Sequence, residues 1–443
     1  MNGPSIGWFG LVVALAGARP ASAQREIPLD PHLKRWVTEH AVPVPPVDEP
    51  YADSAWAFLR PMIGTAHLLA IGENIHGGHE PLALRNHIIR YAVTRLGFTA
   101  VAIESGFTEG QLVDRFVQGE PLDVDSVLRH GINNGFDRMP ENKALLLWLR
   151  GHNEGAKRKV HFYGIDQTGA GAPVYGGAAA VEAALAYLGR TAPEEARRAR
   201  AGFSPLVDRF TERRFRELSI GEQAALRRAL TGLLRSINGR PHSANDAAHA
   251  VAVRNVWAAE RLEQSFRISG AAGARSLDAI RLRDSVMAEN SRWVLRQHGR
   301  AIVFAHNGHV WDVPMAFPAM GPAMMMMGTR LRRALGADLR VIGTAAAIYD
   351  GMGTVLGDMS SMESTFARAA TPNYALDLRT GDRDPVVRPL LREPWITRIH
   401  AWLQPIVPRR ATDILITLGR ITPSAMADLA DDDRTAVVAA ISR

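Results

Sequence analysis

Two turns of this 443-residue chain concentrate side chains able to move protons. Gly72-Glu73-Asn74-Ile75-His76-Gly77-Gly78-His79-Glu80-Pro81 sets a carboxylate three residues before an imidazole, between an apolar run and a helical stretch. Phe304-Ala305-His306-Asn307-Gly308-His309 sets two imidazoles at a spacing of three after another apolar run. Imidazole titrates nearest to neutral pH, and a carboxylate partner fixes its tautomer and raises its basicity. His76 or His306, paired with Glu73 or Glu104, is therefore expected to act as a general base on water. The helix that follows His76 offers N–H groups and partial positive charge suited to an oxyanion, and Arg85, one turn in, is expected to reach the same spot. A third segment, Arg283-Asp284-Ser285-Val286-Met287-Ala288-Glu289-Asn290, puts Arg283, Met287 and Asn290 on one helical stripe. Arg283 and Asn290, with His309, Asp166 and Tyr163, are expected to bind substrate.

Several other chemistries are excluded. The chain has no cysteine, hence no thiol nucleophile, disulfide framework or thiolate-held metal. No G-x-S-x-G elbow occurs, so the serine route of the common α/β hydrolases lacks its signature. H-E-x-x-H is also absent, because His79-Glu80 is followed by Pro81-Leu82-Ala83. No cofactor is expected. The alternative is a divalent metal at the His76/His306 cluster, drawing on His79, His309 and neighbouring carboxylates, which would make the chain a metal-dependent peptidase or hydrolase.

The elements that must carry these residues follow from the apolar runs. Leu68–Gly72 precedes Glu73, Thr99–Ile103 precedes Glu104, Val160–Ile165 contains Tyr163 and closes on Asp166, and Ala301–Ala305 precedes His306. Leu339–Ala347 is a fifth run. Such runs alternating with helical stretches predict an α/β fold, a mostly parallel central sheet flanked by helices. Open sheets of this class bind ligands outside the carboxyl ends of their strands, where four of these runs deliver an ionisable group. Residues 178–298 read as nearly continuous helix, broken near Thr191–Pro193, Gly202–Pro205, Asn238–Pro241 and Ser269–Gly273, and are expected to form a helical insertion walling one side of the cleft. The layout expected is a signal peptide over 1–23, a catalytic core over 24–177, the insertion over 178–298, and the rest of the core with a tail over 299–443. Ile6–Gly17 and Ala21-Ser22-Ala23 supply the apolar region and cleavage site of an exported protein, so the chain is expected to be secreted or periplasmic. The net charge of +7 rests on 48 arginines among 52 basic residues. They cluster between Arg190 and Arg240 amid Glu and Ala at helical spacing. That spacing reads as a solvated helix face, and no nucleic-acid motif accompanies it.

Together these motifs resemble the erythromycin esterase family, with its succinoglycan-biosynthesis-like relatives. The resemblance rests on Gly72-Glu73…His76-Gly77 with Arg85 nine residues on, Glu104 at the next strand end, Arg283 to Asn290, and Ala305 to His309. It implies hydrolysis of a carboxylic ester or macrolide lactone, an antibiotic-inactivating activity, by activated water without a covalent acyl-enzyme. His76 or His306 would be the base, Glu73 and Glu104 would orient the histidines, and Arg85 would stabilise the developing oxyanion. The partner implied is a small-molecule ester or macrolide, with no nucleic acid and no membrane after signal cleavage.

Overall fold

A computed structural model describes residues 29–169, 176–243, 246–272, 276–316, 322–350, 361–371, 373–399 and 402–426. The expected signal segment lies outside these residues, as do Ala170–Tyr175 and Met320. The described strands are β1 (Val42–Pro43), β2 (Leu68–Glu73), β3 (Ala100–Gly106), β4 (His161–Asp166), β5 (Ala301–His306), β6 (Leu339–Tyr349), β7 (Tyr374–Asp377), β8 (Trp395–Ile399), β9 (Trp402–Ile406) and β10 (Ile414–Ile421). All five strands expected from the apolar runs are present, within two or three residues at each end. The chain forms two compact units.

The first unit comprises residues up to Val101, Met139–Glu141 and Arg292–Met426. Its strands lie in the order β1-β7-β10-β6-β2-β5. The β10–β6, β6–β2 and β2–β5 pairs are parallel, and β7 and β1 add antiparallel pairs at one side. β2 and β5 are buried along their whole lengths, the pattern of parallel strands covered on both faces. Their register matters most for the chemistry: Leu68 pairs with Ala301, and five steps later Glu73 lies opposite His306. The helix His79–Leu96 follows β2 and stops at Gly97, which adopts the left-handed conformation with φ 74°. The fold is α/β with a mostly parallel sheet and flanking helices.

The second unit comprises Ala102–Arg138 and Asn142–Ser291. β4 is the neighbour of β3 there, and a Cβ on Gly164 would sit 2.1 Å from the Gly106 carbonyl oxygen, so only glycine permits the approach. Between 178 and 298 the described residues contain helices Ala178–Thr191, Pro193–Phe203, Ile220–Asn238, Ala247–Ala272 and Leu277–His298, with no strand. The breaks fall where Pro and Gly stand in the sequence. Val181, Leu185, Leu188, Phe203, Phe210 and Leu230 share one apolar core, while Arg240–Glu195 and Arg209–Glu222 ion pairs decorate the outside. This is the solvated face that the Arg/Glu spacing implied. Among the described residues no helix is long and apolar enough to cross a membrane.

Gly72, just ahead of the Glu73–His76 turn, is fixed by packing. A Cβ on Gly72 would lie 2.2 Å from Asn307 Oδ1 and 2.7 Å from Val310 Cγ2. Asn307 cannot retreat cheaply, because its Nδ2 donates to the Thr344 carbonyl at 2.8 Å and so ties β5 to β6. Gly72→Ala is expected to destabilise the protein by about 1–3 kcal/mol through overpacking. Urea unfolding of the variant checks this, and an unchanged midpoint would refute it.

Candidate active site

In the first unit β2 delivers Glu73, fully buried, and the turn that follows delivers His76, whose side chain is 20% exposed. Gly77 permits the turn with φ 77°. His76 Nδ1 and Glu73 Oε1 form a short hydrogen bond. A carboxylate only accepts, so in neutral His76 the proton sits on Nδ1 and the basic lone pair on Nε2. The His306 ring stands beside it, with centroids 4.9 Å apart. His306 Nδ1 accepts the Gly308 N–H at 3.1 Å, and its Nε2 lies 3.3 Å from the Asn74 carbonyl oxygen. An amide N–H only donates and a carbonyl only accepts, so these partners set His306 as the Nε2–H tautomer. The two histidines therefore hold opposite tautomers. His309 follows on the helix Asn307–Val310 and is partly exposed.

Arg85 is fully buried and lies within the interior of this unit. Its guanidinium sits 4.5 Å over the Phe304 ring and donates to Asn86 Oδ1 at 2.8 Å. Burial lowers its pKa to about 10, opposed by the charges of Glu73 and Glu141.

A second imidazole–carboxylate group braces the same turn. His79 bonds Glu141 Oε1 through Nδ1 at 2.6 Å and Asp48 Oδ1 through Nε2 at 2.8 Å. Although burial alone would lower the His79 pKa, the two carboxylates raise it overall. Its pairing therefore contributes stability below the ordinary histidine value, which is lost as pH rises through the raised one. The segment after β10 completes the brace. The Thr422 N–H and hydroxyl donate to Glu80 at 2.7 and 2.9 Å, the His79 N–H donates to the Thr422 carbonyl at 2.9 Å, and Ser424 donates to Gly77 O and Glu141 Oε2 at 2.8 and 2.6 Å.

In the second unit Glu104, Asp166 and Arg283 converge. Arg283 Nη2 lies 2.9 Å from Glu104 Oε1 and 2.5 Å from Asp166 Oδ2. Burial alone would lower the Arg283 pKa, yet Asp166 and Glu104 raise it overall, so the guanidinium stays charged. Asn134, held at φ 61°, donates to the Glu104 carbonyl and to Asp166 at 3.2 and 3.3 Å. Arg283 keeps 28% of its side chain exposed, whereas Asp166 and Asn290 are buried. Asn290 donates to the Ile165 carbonyl at 2.7 Å and accepts from Arg254 at 2.9 Å, which anchors its helix to β4. Tyr163, in β4, is half-buried, and burial raises its phenol pKa.

Sequence reasoning missed Glu109. It precedes the helix Gly110–Val117, where an acid reads as a routine cap, yet its side chain caps nothing in that helix. Instead the carboxyl is fully buried and accepts the Gly169 N–H at 2.7 Å through Oε1, while Oε2 has no hydrogen-bond partner. Burial, and to a lesser degree Asp166, push its pKa up to about 7. The folded state thus holds a proton that the unfolded chain releases near its ordinary value, so stability falls as pH rises toward 7 and stays lower above it. Glu109→Gln keeps the acceptor and removes the charge. It is expected to raise unfolding stability by about 2–3 kcal/mol at pH 8 and little at pH 5, at about 1.4 kcal/mol per pKa unit. Equal shifts at the two pH values, read from urea titrations, would contradict this.

The erythromycin esterase family model matches residues 93–418, well over half of the chain. The chain belongs to the erythromycin esterase family. It is accordingly a carboxylic ester hydrolase. The matched span contains Glu104, Arg283 to Asn290 and Ala305 to His309, while the Glu73–His76 turn lies just ahead of it. Erythromycin esterase type II of Escherichia coli is 27% identical over 352 residues, covering 73% of this chain and 81% of that protein. Two solved structures share the fold. A Bacillus cereus protein is 20% identical with a TM-score of 0.76, covering 90% of this chain and 99% of that one. A His-to-Asn mutant of the erythromycin esterase EreC, in its open conformation, is 17% identical with a TM-score of 0.64, covering 85% of this chain and 96% of the other.

Proposed function

We propose that this family member hydrolyses a macrolide lactone, or a related bulky carboxylic ester, by water activated at His76, with no covalent acyl-enzyme and no cofactor. The observation that carries the choice of base is the pair of opposite tautomers. Glu73 holds the His76 proton on Nδ1, which makes Nε2 the basic nitrogen and sets a carboxylate beside the imidazolium that forms, while the Gly308 N–H and the Asn74 carbonyl set His306 as the Nε2–H form. His76 Nε2 takes a proton from water as the oxygen attacks the carbonyl carbon. The imidazolium, steadied by buried Glu73, then returns that proton to the departing alkoxide. Arg85 acts through Glu73: fully buried, its positive charge favours the ionised carboxylate. The helix His79–Leu96 directs its positive end at the same turn, where negative charge develops on the carbonyl oxygen. In the second unit, Glu104 and Asp166 hold Arg283 as the group offered to substrate. Substrate binding by Tyr163 and His309 belongs to the same proposal, while buried Asn290, expected to bind substrate, instead ties its helix to β4.

The macrolide assignment is supported by the family match and by the erythromycin esterase type II relative; the first unit also carries a cleft of about 400 Å³, lined by Pro46, Val47, Asp48, Ile348, Leu418 and Arg420 among others, with none of Glu73, His76 and His306 in its wall. Its apolar floor comes from the carboxyl ends of β6 and β10. Export guided by the Ile6–Gly17 segment and the Ala21-Ser22-Ala23 site belongs to the same proposal.

His76→Ala is expected to lower kcat by about 10²–10⁴ and, by taking the imidazole from buried Glu73, to cost about 1–3 kcal/mol of stability. Near-normal turnover in that variant would remove His76 as the base. Macrolides and simple esters incubated with the protein and weighed by mass spectrometry are expected to show a macrolide gaining one water. Gain by simple esters alone would redirect the substrate assignment. Activity is expected to survive dialysis against chelator, and loss restored by a divalent ion would replace the water-base mechanism with a metal-assisted one.

A further inference from the structure

Asn74 stands between the two proton-handling elements without being one itself. It follows Glu73 at the end of β2 and is buried. Its main-chain carbonyl faces His306 Nε2 at 3.3 Å. Its side-chain Nδ2 donates to the Tyr349 hydroxyl at 2.7 Å, and its Oδ1 lies 3.3 Å from Thr344 Oγ1. Thr344 has one hydroxyl proton to share, and its other acceptor is the Gly72 carbonyl at 2.9 Å. Three polar groups of one residue are thus tied to β5 and β6, the strands on either side of β2. Tyr349 closes β6 and is buried. Burial, and then the nearby Glu363 carboxyl, raise its phenol pKa far above the ordinary value, against the smaller effect of Arg398. The hydroxyl therefore stays neutral and presents a lone pair to the Asn74 amide.

We infer that Asn74 and Tyr349 are positioning residues for ester hydrolysis: the Tyr349 hydroxyl fixes the Asn74 side chain, and the Asn74 carbonyl so aimed holds His306 as the Nε2–H tautomer beside His76. The logic is that of a histidine whose second-line partner sets which nitrogen carries the proton. Here the partner is a main-chain carbonyl, which no substitution of its own side chain deletes. The side-chain bonds on either side of it are therefore the means by which the sequence controls its direction. Nothing in the strand or turn pattern of the sequence reveals this, since the bonds of Asn74 run to residues 232 or more positions away.

The test uses the intact protein and two independent readouts. Tyr349→Phe preserves the ring and removes only the acceptor of the Asn74 amide. Long-range proton–nitrogen NMR spectra of histidine-labelled protein report the tautomer directly, with the His306 signals assigned by their loss in His306→Asn. The native protein is expected to show His306 as the Nε2–H form. Tyr349→Phe is expected to show it as a mixture, with kcat on para-nitrophenyl acetate or erythromycin reduced about three- to tenfold, the size of one neutral hydrogen bond, and KM within twofold. Asn74→Ala, checked for folding by its unfolding midpoint, is expected to give the same signature. A single unchanged tautomer in both variants overturns the inference, and so does a loss of kcat without a tautomer change, which would mean a merely structural role. The NMR readout also separates this inference from the assignment of His76 as base. If His76→Ala stays active while Tyr349→Phe still mixes the His306 tautomers, the positioning role stands and the water-base mechanism falls.

Discussion

The parallel register of β2 and β5 is the constraint from which the chemistry of the first unit follows. Leu68 lies opposite Ala301, so Glu73 must lie opposite His306 at the same carboxyl edge. A slip of one residue in either strand would send these side chains to opposite faces, since side chains alternate along a strand. The register is held by side chains as well as by the ladder. Asn307 reaches across to the Thr344 carbonyl, and its amide fills the space that a Cβ on Gly72 would take. Aliphatic burial along both strands gives the driving force, and these polar contacts make one alignment better than its neighbours. The imidazole of His76 then needs only a short turn to stand beside that of His306.

Charge in the second unit is handled differently. Two carboxylates face one guanidinium, and a third carboxyl, Glu109, is buried nearby with one oxygen lacking a hydrogen-bond partner. Buried carboxylates are costly unless paired or protonated. Arg283 bonds Glu104 and Asp166 together and offsets one of their two charges, and the raised pKa of Glu109 lets it hold a proton near neutrality. The two units thus meet similar demands by separate means. In the first, an imidazole takes one carboxylate and a fully buried arginine adds its charge. In the second, a shared guanidinium is combined with proton uptake.

Much of this was legible in the sequence where one signal governed one element. Val, Ile and Ala runs ending in Glu73, Asp166 and His306 gave strands ending at those residues. Pro193, Pro205 and Pro241 marked the breaks among the helices. The tail was not legible: β7, β8 and β9 are only four or five residues long and lie among turns that mix Pro, Asp and Arg, so their apolar content gave little contrast with those turns. Partnership was also hidden. The type and spacing of Glu104 suggested a carboxylate for histidine, and no local pattern announced its bond to Arg283, 179 residues away. Arg85 looked like an anion-binding group because it follows His76 on one helix, and only packing reveals that Phe304 covers its guanidinium. Glu109 and Asn74 stood in plain view without any local pattern, since long-range neighbours alone give them their roles.

The brace of Thr422 and Ser424 on the His76 turn has a consequence for biogenesis. Glu80 and Thr422 are separated by 342 positions in the chain. A nascent polypeptide emerging from the ribosome can form the helix His79–Leu96 early, yet β2 must wait for β5 and β6, and the turn between β2 and that helix lacks its final supports until nearly the whole sequence has been synthesised. Contacts of such long range form late, because closing the intervening loop costs entropy before any bond repays it. Hydrolytic competence should therefore arrive as one of the last events of maturation. A partly made chain would be a folded fragment without a working catalyst.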